Sequence, residues 1–313
     1  MDIKHTENKT PVVNASNLPT LIVLSGTTFG AKLLPLIIKM CKSIFGGIPT
    51  WLQFLVFDTD ENSLMAAEAY GQHVMVIHLG VCNLREVAVR SDKNPVVAAT
   101  LQGIPLSNVP ELLYKGSAKI FALTQAAWQT QYWQSGSGVY DVHQAAINRL
   151  RVGNFANSTG VVTRPLIRIF YIAGAFGGVG GIGPLLSAST FRSMASDTGM
   201  NLEITALWIE AHEEESNQDI RIAGNMAGNY EMVEAAQCGQ FRLQVPGHSR
   251  LVIQGGDNVP IFDYIFRASE NNGNQLIPKD VFNGAIARFA LAWAANPISD
   301  DFRSKFEDKR GVL

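Results

Sequence analysis

Short, mostly apolar runs alternate along this chain with longer stretches in which apolar residues return every three or four positions. Leu21–Leu24 (LIVL), Leu52–Phe57 (LQFLVF), His73–Leu79 (HVMVIHL), Leu166–Ala173 (LIRIFYIA), Leu202–Ile209 and Phe262–Ala268 are the short runs. They predict strands apolar on both faces, as in a parallel sheet covered by helices on both sides. Helical spacing is read over 31–45, 118–131, 140–151, 220–237 and 279–295, the fourth ending near Gly239 and the fifth before Pro297. Between Cys82 and Leu113, Asn94-Pro95 and Ile104-Pro105 predict loops and short helices. Ser135–Gly138 reads as a flexible joint and 154–164 as a loop. Residues 1–19 read as a loosely attached arm and 299–313 as a charged tail.

Composition narrows the function classes. The chain has 313 residues, 47% hydrophobic and 17% charged, with 25 Lys+Arg against 27 Asp+Glu. That balance lacks the basic footprint of a nucleic-acid binder and any polybasic membrane segment. No apolar run reaches the length of a membrane span, and the first residues carry no apolar signal core, so the cytoplasm is the expected location. Cys41, Cys82 and Cys238 are far apart and read as buried thiols in a reducing compartment.

The richest segment chemically is Gly174–Gly183, six glycines in ten residues between a strand and a helix. Glycine permits close backbone approach, and a helix N-terminus offers unsatisfied N–H groups and a positive dipole end, a combination that suits phosphate. The competing reading is a tight strand-to-helix crossing in which glycine only allows packing. Pro184 reads as the first helical residue and Gly199 as the stop near Thr198. Absence of a following Lys-Ser/Thr excludes the usual NTPase P-loop.

A second strand-to-helix turn, Ser25–Gly30, offers Gly26, Thr27, Thr28 and Gly30 for phosphate or ribose, or is simply a turn. Asp58, Asp60 and Glu61 follow the second strand, where ligands of parallel sheets bind. They suit a sugar hydroxyl or a metal-bound water, or else a helix cap at Asp58 or Thr59. His212–Glu215 reads as a solvated loop, and no metal site is assigned.

Taken together, these segments resemble the tubulin/FtsZ superfamily. Ala173–Ile182 falls in register with that family's Gly-Gly-Gly-Thr-Gly-Ser/Thr-Gly signature, with Val179 in place of the threonine and Phe176 and Ile182 in place of the outer glycines. Phe57–Glu61 looks like the Asn-Thr-Asp segment, Ile222–Glu234 like the Asn-rich helix of bacterial tubulin-like proteins, and Phe262–Ile265 like the strand after it. The resemblance spans about 21–302, with an unmatched insertion over about 82–160. It implies a Rossmann-like three-layer α/β domain over 20–298, of the tubulin/FtsZ nucleotide-binding type. The implied ligand is GTP or GDP, with or without Mg2+. The phosphates would lie on Gly174, Gly177, Gly178, Val179, Gly180 and Gly181, assisted by the Ser25–Gly30 turn and by Asp58 or Asp60. Phe282 would stack on the base. Hydrolysis would be weak or dependent on self-association, with Asp301 in Asn296–Phe302 as its acid. A family member at this position would carry Asp where this chain has Ile286, and a second acid where it has Ser304. On this resemblance, the family's smaller second domain is expected to be missing from these residues. Two further readings are a degenerate scaffold or partner-binding subunit without nucleotide, and a dinucleotide-dependent enzyme. The last lacks Gly-x-Gly-x-x-Gly after the first strand.

Overall fold

The computed structural model describes residues 18–26, 32–90, 92–113, 117, 119–155, 166–211, 219–241, 243–247, 260–271 and 276–295. Within them the apolar runs form six strands: β1 (Thr20–Ser25), β2 (Leu52–Asp58), β3 (Val74–His78), β4 (Leu166–Gly174), β5 (Asn201–Ile209) and β6 (Tyr264–Ala268). All pair in parallel, in the order β3-β2-β1-β4-β5-β6. The helices are α1 (Leu34–Phe45), α2 (Glu61–Glu68), α3 (Leu84–Val89), α4 (Pro95–Thr100), α5 (Phe121–Gln131), α6 (Val139–Phe155), α7 (Gly178–Thr198), α8 (Ile220–Gln237) and α9 (Lys279–Ala295). None of these helices is long and apolar enough to cross a membrane.

Strand alternation divides the core into two layers. Leu21, Val23, Leu55, Phe57, Ile169 and Tyr171 pack with residues of α3 to α8, whereas Ile22, Leu24, Phe54, Val56, Phe170 and Ile172 pack with α1, α2 and α9. From β1 the sheet grows through α1 and α2 on one face; from β4 it grows the other way through α7 and α8 on the opposite face. Right-handed crossovers in opposite directions require this. A crevice opens where the two directions part, at the carboxyl ends of β1 and β4.

Several expectations need correction. Pro184 does not open α7; six residues of that helix, from Gly178, precede it. The strand expected from Phe262 begins at Tyr264. Asp60, not Asp58 or Thr59, caps α2, accepting from the Ser63 N–H at 2.8 Å. Cys41 and Cys82 are buried, which pushes their thiols up to about 12 and about 11, but Cys238 is exposed. The 82–113 stretch and the residues after it become α3 to α6, and α5 and α6 pack beneath and beside α7.

Two buried polar clusters fix the layers. At the amino end of the sheet, Arg168 of β4 is fully buried and donates to Glu203 of β5 at 2.5 Å and to the Trp293 carbonyl of α9 at 2.8 Å. On the other face, His143 of α6 is fully buried. Its Nδ1 donates to the Val139 carbonyl at 2.7 Å, which leaves Nε2 to accept from Ser187 Oγ of α7 at 2.7 Å; Tyr171 of β4 donates to the same Ser187 at 2.9 Å. Burial lowers the imidazole to about 3, so it is neutral in the fold. Serine and histidine in hydrogen-bond contact resemble a nucleophile and base, but both are sealed at 0% exposure and serve to join α6, α7 and β4.

Replacing Arg168 by Met leaves Glu203 charged and buried, and urea denaturation is expected to show a loss of about 3–5 kcal/mol. Adding Glu203→Leu is expected to return most of it. For His143, the unfolded chain binds a proton below its ordinary 6.5 while the folded chain does not until about 3. Stability is therefore complete above pH 6.5 and falls with decreasing pH by about 1.4 kcal/mol per unit from this group. Comparing the pH dependence of wild type and His143→Gln between pH 7 and 4 checks it.

Candidate functional site

The Gly-rich turn meets β1 at the crevice. Gly26, just after β1, has φ 91°, a backbone that favours glycine, and a Cβ built there would lie 3.8 Å from the Gly180 nitrogen. Gly177 caps α7 without a side chain, and the first helical bond closes from the Gly181 N–H to the Gly177 carbonyl at 2.8 Å. The N–H groups of Gly178, Val179 and Gly180 thus have no acceptor within the helix.

Glycine serves two distinct purposes in this turn. A Cβ on Gly180 would meet the Gly174 carbonyl oxygen at 2.5 Å, one on Gly181 the Phe121 ring at 2.4 Å, and one on Gly183 the Phe57 ring at 2.4 Å. On Gly178 it would meet Ser117 Oγ at 2.0 Å. These four glycines are demanded by packing. Gly177 is different: the nearest atom to its Cβ position is 3.7 Å away.

The carbonyls of the turn are taken up from the sides. Pro184 has no N–H for the Gly180 carbonyl four residues earlier, and that oxygen instead accepts from the Trp208 indole at 3.4 Å. Thr124 Oγ1 donates to Gly178 at 2.9 Å and Asn229 Nδ2 to Gly181 at 2.7 Å. Asn225 Nδ2 donates both to Phe176 O at 2.9 Å and to Lys119 O at 2.8 Å. Asn225 and Asn229 sit one turn apart on α8. The repeated Gly-Asn pairs at 224–225 and 228–229 were a readable signal of that face, whereas nothing local in the sequence marks Trp208 or Lys119.

Around this turn lie three further polar features. Ser25 is 1% exposed and its Oγ has no hydrogen-bond partner among the described residues. By alternation with Leu21 and Val23 it faces the α7 layer, at the level where Gly26 meets Gly180. Asp58 is also buried, its Oδ1 accepting from the Thr59 N–H at 2.7 Å, but alternation puts it on the α1 side of the sheet with Phe54 and Val56. On the far side of the turn, Asp219 caps α8 and pairs with both Arg221 and Lys119, which hold its carboxyl well below the usual range.

The structure thus brings together Gly26, Gly174, Gly177, Gly178, Val179, Gly180 and Gly181. Asp60 is occupied as a cap. Phe282, in the first turn of α9 on the opposite face of the sheet from α7, is 6% exposed and belongs to the same apolar cluster as Ile286, Ala287 and Ala290. As placed it is core, not an open platform for a base. Thr27, Thr28, Gly30, Asp301 and His212–Glu215 lie outside the described residues. No group of three or more His, Cys, Asp or Glu suited to a metal occurs among the described residues.

The sequence matches no family model and no curated protein. Among solved structures, the chain matches TubZ of Clostridium botulinum phage c-st at TM-score 0.39 and 12% identity, over 92% of this chain and 65% of that one. A GTPγS-form protofilament of TubZ from Bacillus thuringiensis serovar israelensis matches at 0.42 and 12%, over 92% and 60%. A short-chain dehydrogenase/reductase from Brucella melitensis matches at 0.25 and 12%, over 81% and 96%. The chain spans 65% of the length of the phage TubZ.

The two classes of glycine separate in mutation. Gly180→Ala is expected to lose at least about 2 kcal/mol in urea denaturation, because both atoms it strikes are backbone. Gly177→Ala is expected to lose under about 1 kcal/mol.

Proposed function

We propose that this chain is a guanine-nucleotide-binding domain of the tubulin/FtsZ type. GTP or GDP, with or without Mg2+, sets its phosphates on the N–H groups of Gly178, Val179 and Gly180, with Gly26 and Ser25 approaching from β1. The observation that carries this reading is the pairing of a helix entrance rich in free N–H groups with a buried, unpartnered hydroxyl at the sheet's switch point. An anionic polyphosphate satisfies both: the dipole end of a 21-residue helix favours its charge, and its oxygens accept from Ser25. The residues present fit such a group without any side chain beyond Ser25, so the replacement of the family threonine by Val179 removes no backbone donor. Guanine as the base rests on the sequence resemblance, as does Asp301 as the acid of a hydrolysis that is weak or requires a second copy of the chain. The GTPγS-form protofilament of the Bacillus TubZ supports a self-associating reading by fold likeness alone.

A second reading, a scaffold that binds no nucleotide, is favoured by the packing of Gly178, Gly180, Gly181 and Gly183, which accounts for those glycines without a ligand.

Calorimetric titration with GTP, GDP and ATP in Mg2+ separates the two. Binding of GTP and GDP, weakened in Gly177→Ala despite its intact fold, is the expected result. No heat from any of the three would leave the scaffold.

A further inference from the structure

Lys119 is the one non-glycine residue with positive φ among the described residues, at 62°. It occupies the third position of a turn closed by the Ile120 N–H on the Ser117 carbonyl at 2.9 Å, a place that ordinarily calls for glycine or asparagine. That turn lies directly on the entrance of α7. The Ile120 nitrogen is 3.1 Å from where a Gly178 Cβ would stand, and the Lys119 carbonyl shares the Asn225 amide with Phe176. A strained lysine is thus held against the first residue of the helix whose N–H groups face the crevice.

Its ammonium rests on Asp219 Oδ2 at 2.8 Å. The same carboxylate is bound by Arg221 through Nε and Nη2, at 3.0 and 3.1 Å, and Asp219 Oδ1 also caps the Arg221 N–H. Among the described residues, two cations therefore share one carboxylate beside the α7 entrance. Asp219 keeps its arginine and its capping bond if the lysine leaves, so Lys119 is the member free to change partners. The buried Ser25 hydroxyl, without a partner among the described residues and facing the α7 layer, is the independent sign that a polar ligand belongs at the α7 entrance.

We infer that Lys119 is a phosphate-contacting residue, which exchanges Asp219 for the terminal phosphate of a nucleoside triphosphate bound at α7 and so favours the triphosphate over the diphosphate. This rests on the nucleotide-binding reading above and adds to it the discrimination between ligands. Because the Lys119 carbonyl and the Phe176 carbonyl hang on one asparagine of α8, the exchange also releases α8 from the turn at its cap while Asn225 holds it.

The test is calorimetric titration of wild type, Lys119→Gly, Lys119→Arg and Asp219→Asn with GTP, GDP and inorganic tripolyphosphate in Mg2+. Lys119→Gly suits the left-handed backbone better than lysine does, so its weaker binding cannot come from a lost fold. It is expected to bind GTP and tripolyphosphate roughly tenfold more weakly, the scale of one charge-assisted contact, and GDP within about twofold of wild type. Lys119→Arg is expected to keep the preference for GTP. Asp219→Asn keeps a capping side chain, frees the lysine, and is expected to tighten GTP several-fold, about twofold or more. Equal loss of GTP and GDP in Lys119→Gly, or no loss, overturns the role of Lys119 and leaves the binding site standing. Failure of wild type to bind any of the three ligands overturns both.

Discussion

At Gly180 there is room for a hydrogen atom and nothing larger. A Cβ there would press on the carbonyl and nitrogen of Gly174, the last residue of β4. The chain therefore turns back on itself backbone against backbone, and α7 starts at once above the end of the strand it follows. Everything near the crevice follows from that closeness. The helix begins six residues ahead of its proline, its first N–H groups open at the end of the sheet, and Gly26 of the neighbouring turn meets them. Side chains of β5, α5 and α8 then take the carbonyls of the turn from the sides. Donors are left facing one way and acceptors are tied down in the other, which is the polarity an anion needs.

The same helix is anchored further along by a different kind of contact. Ser187 receives Tyr171 and gives to His143, so β4, α7 and α6 share one hydroxyl. At the opposite end of the sheet, Arg168 and Glu203 tie α9 to β4 and β5. These two polar clusters thus sit at joints between packed elements. That placement lets the carboxyl end of the sheet carry open donors while the rest of the interior stays closed.

Much of the architecture was legible in the sequence, for a physical reason. Strands buried on both faces are mostly apolar, and LIVL, LQFLVF and LIRIFYIA fit that pattern with Gln53 and Arg168 as their polar members. Helices 220–237 and 279–295 were bounded by their glycine, asparagine and proline punctuation. The start of α7 was not legible, because proline at a first helical position is the usual case. Here the indole of Trp208, 24 residues later in the chain, takes up the carbonyl that Pro184 leaves open. Asp58 and Asp60 could not be told apart by type; only the side of the sheet and the cap separate them. Phe282 shows the limit of resemblance by position. Its place early in α9 agrees with the pattern, but the helix face it shares with Ile286 and Ala290 turns its ring into the core.

The order of strands has a further consequence for how this chain reaches its fold. Adjacent strands on either wing are joined by one crossover each, whereas β1 and β4 pair Thr20 with Arg168 across almost half of the chain. Closing that loop costs more chain entropy than any other join in the sheet. The two wings each have their own helices and their own apolar faces, so they can gather locally before they meet. The seam that makes the crevice is therefore the pairing of longest sequence separation in the sheet, the kind of contact that slows folding in general. A molecule bound at that seam would tie together the two halves of the sheet that the chain itself joins only through its longest loop.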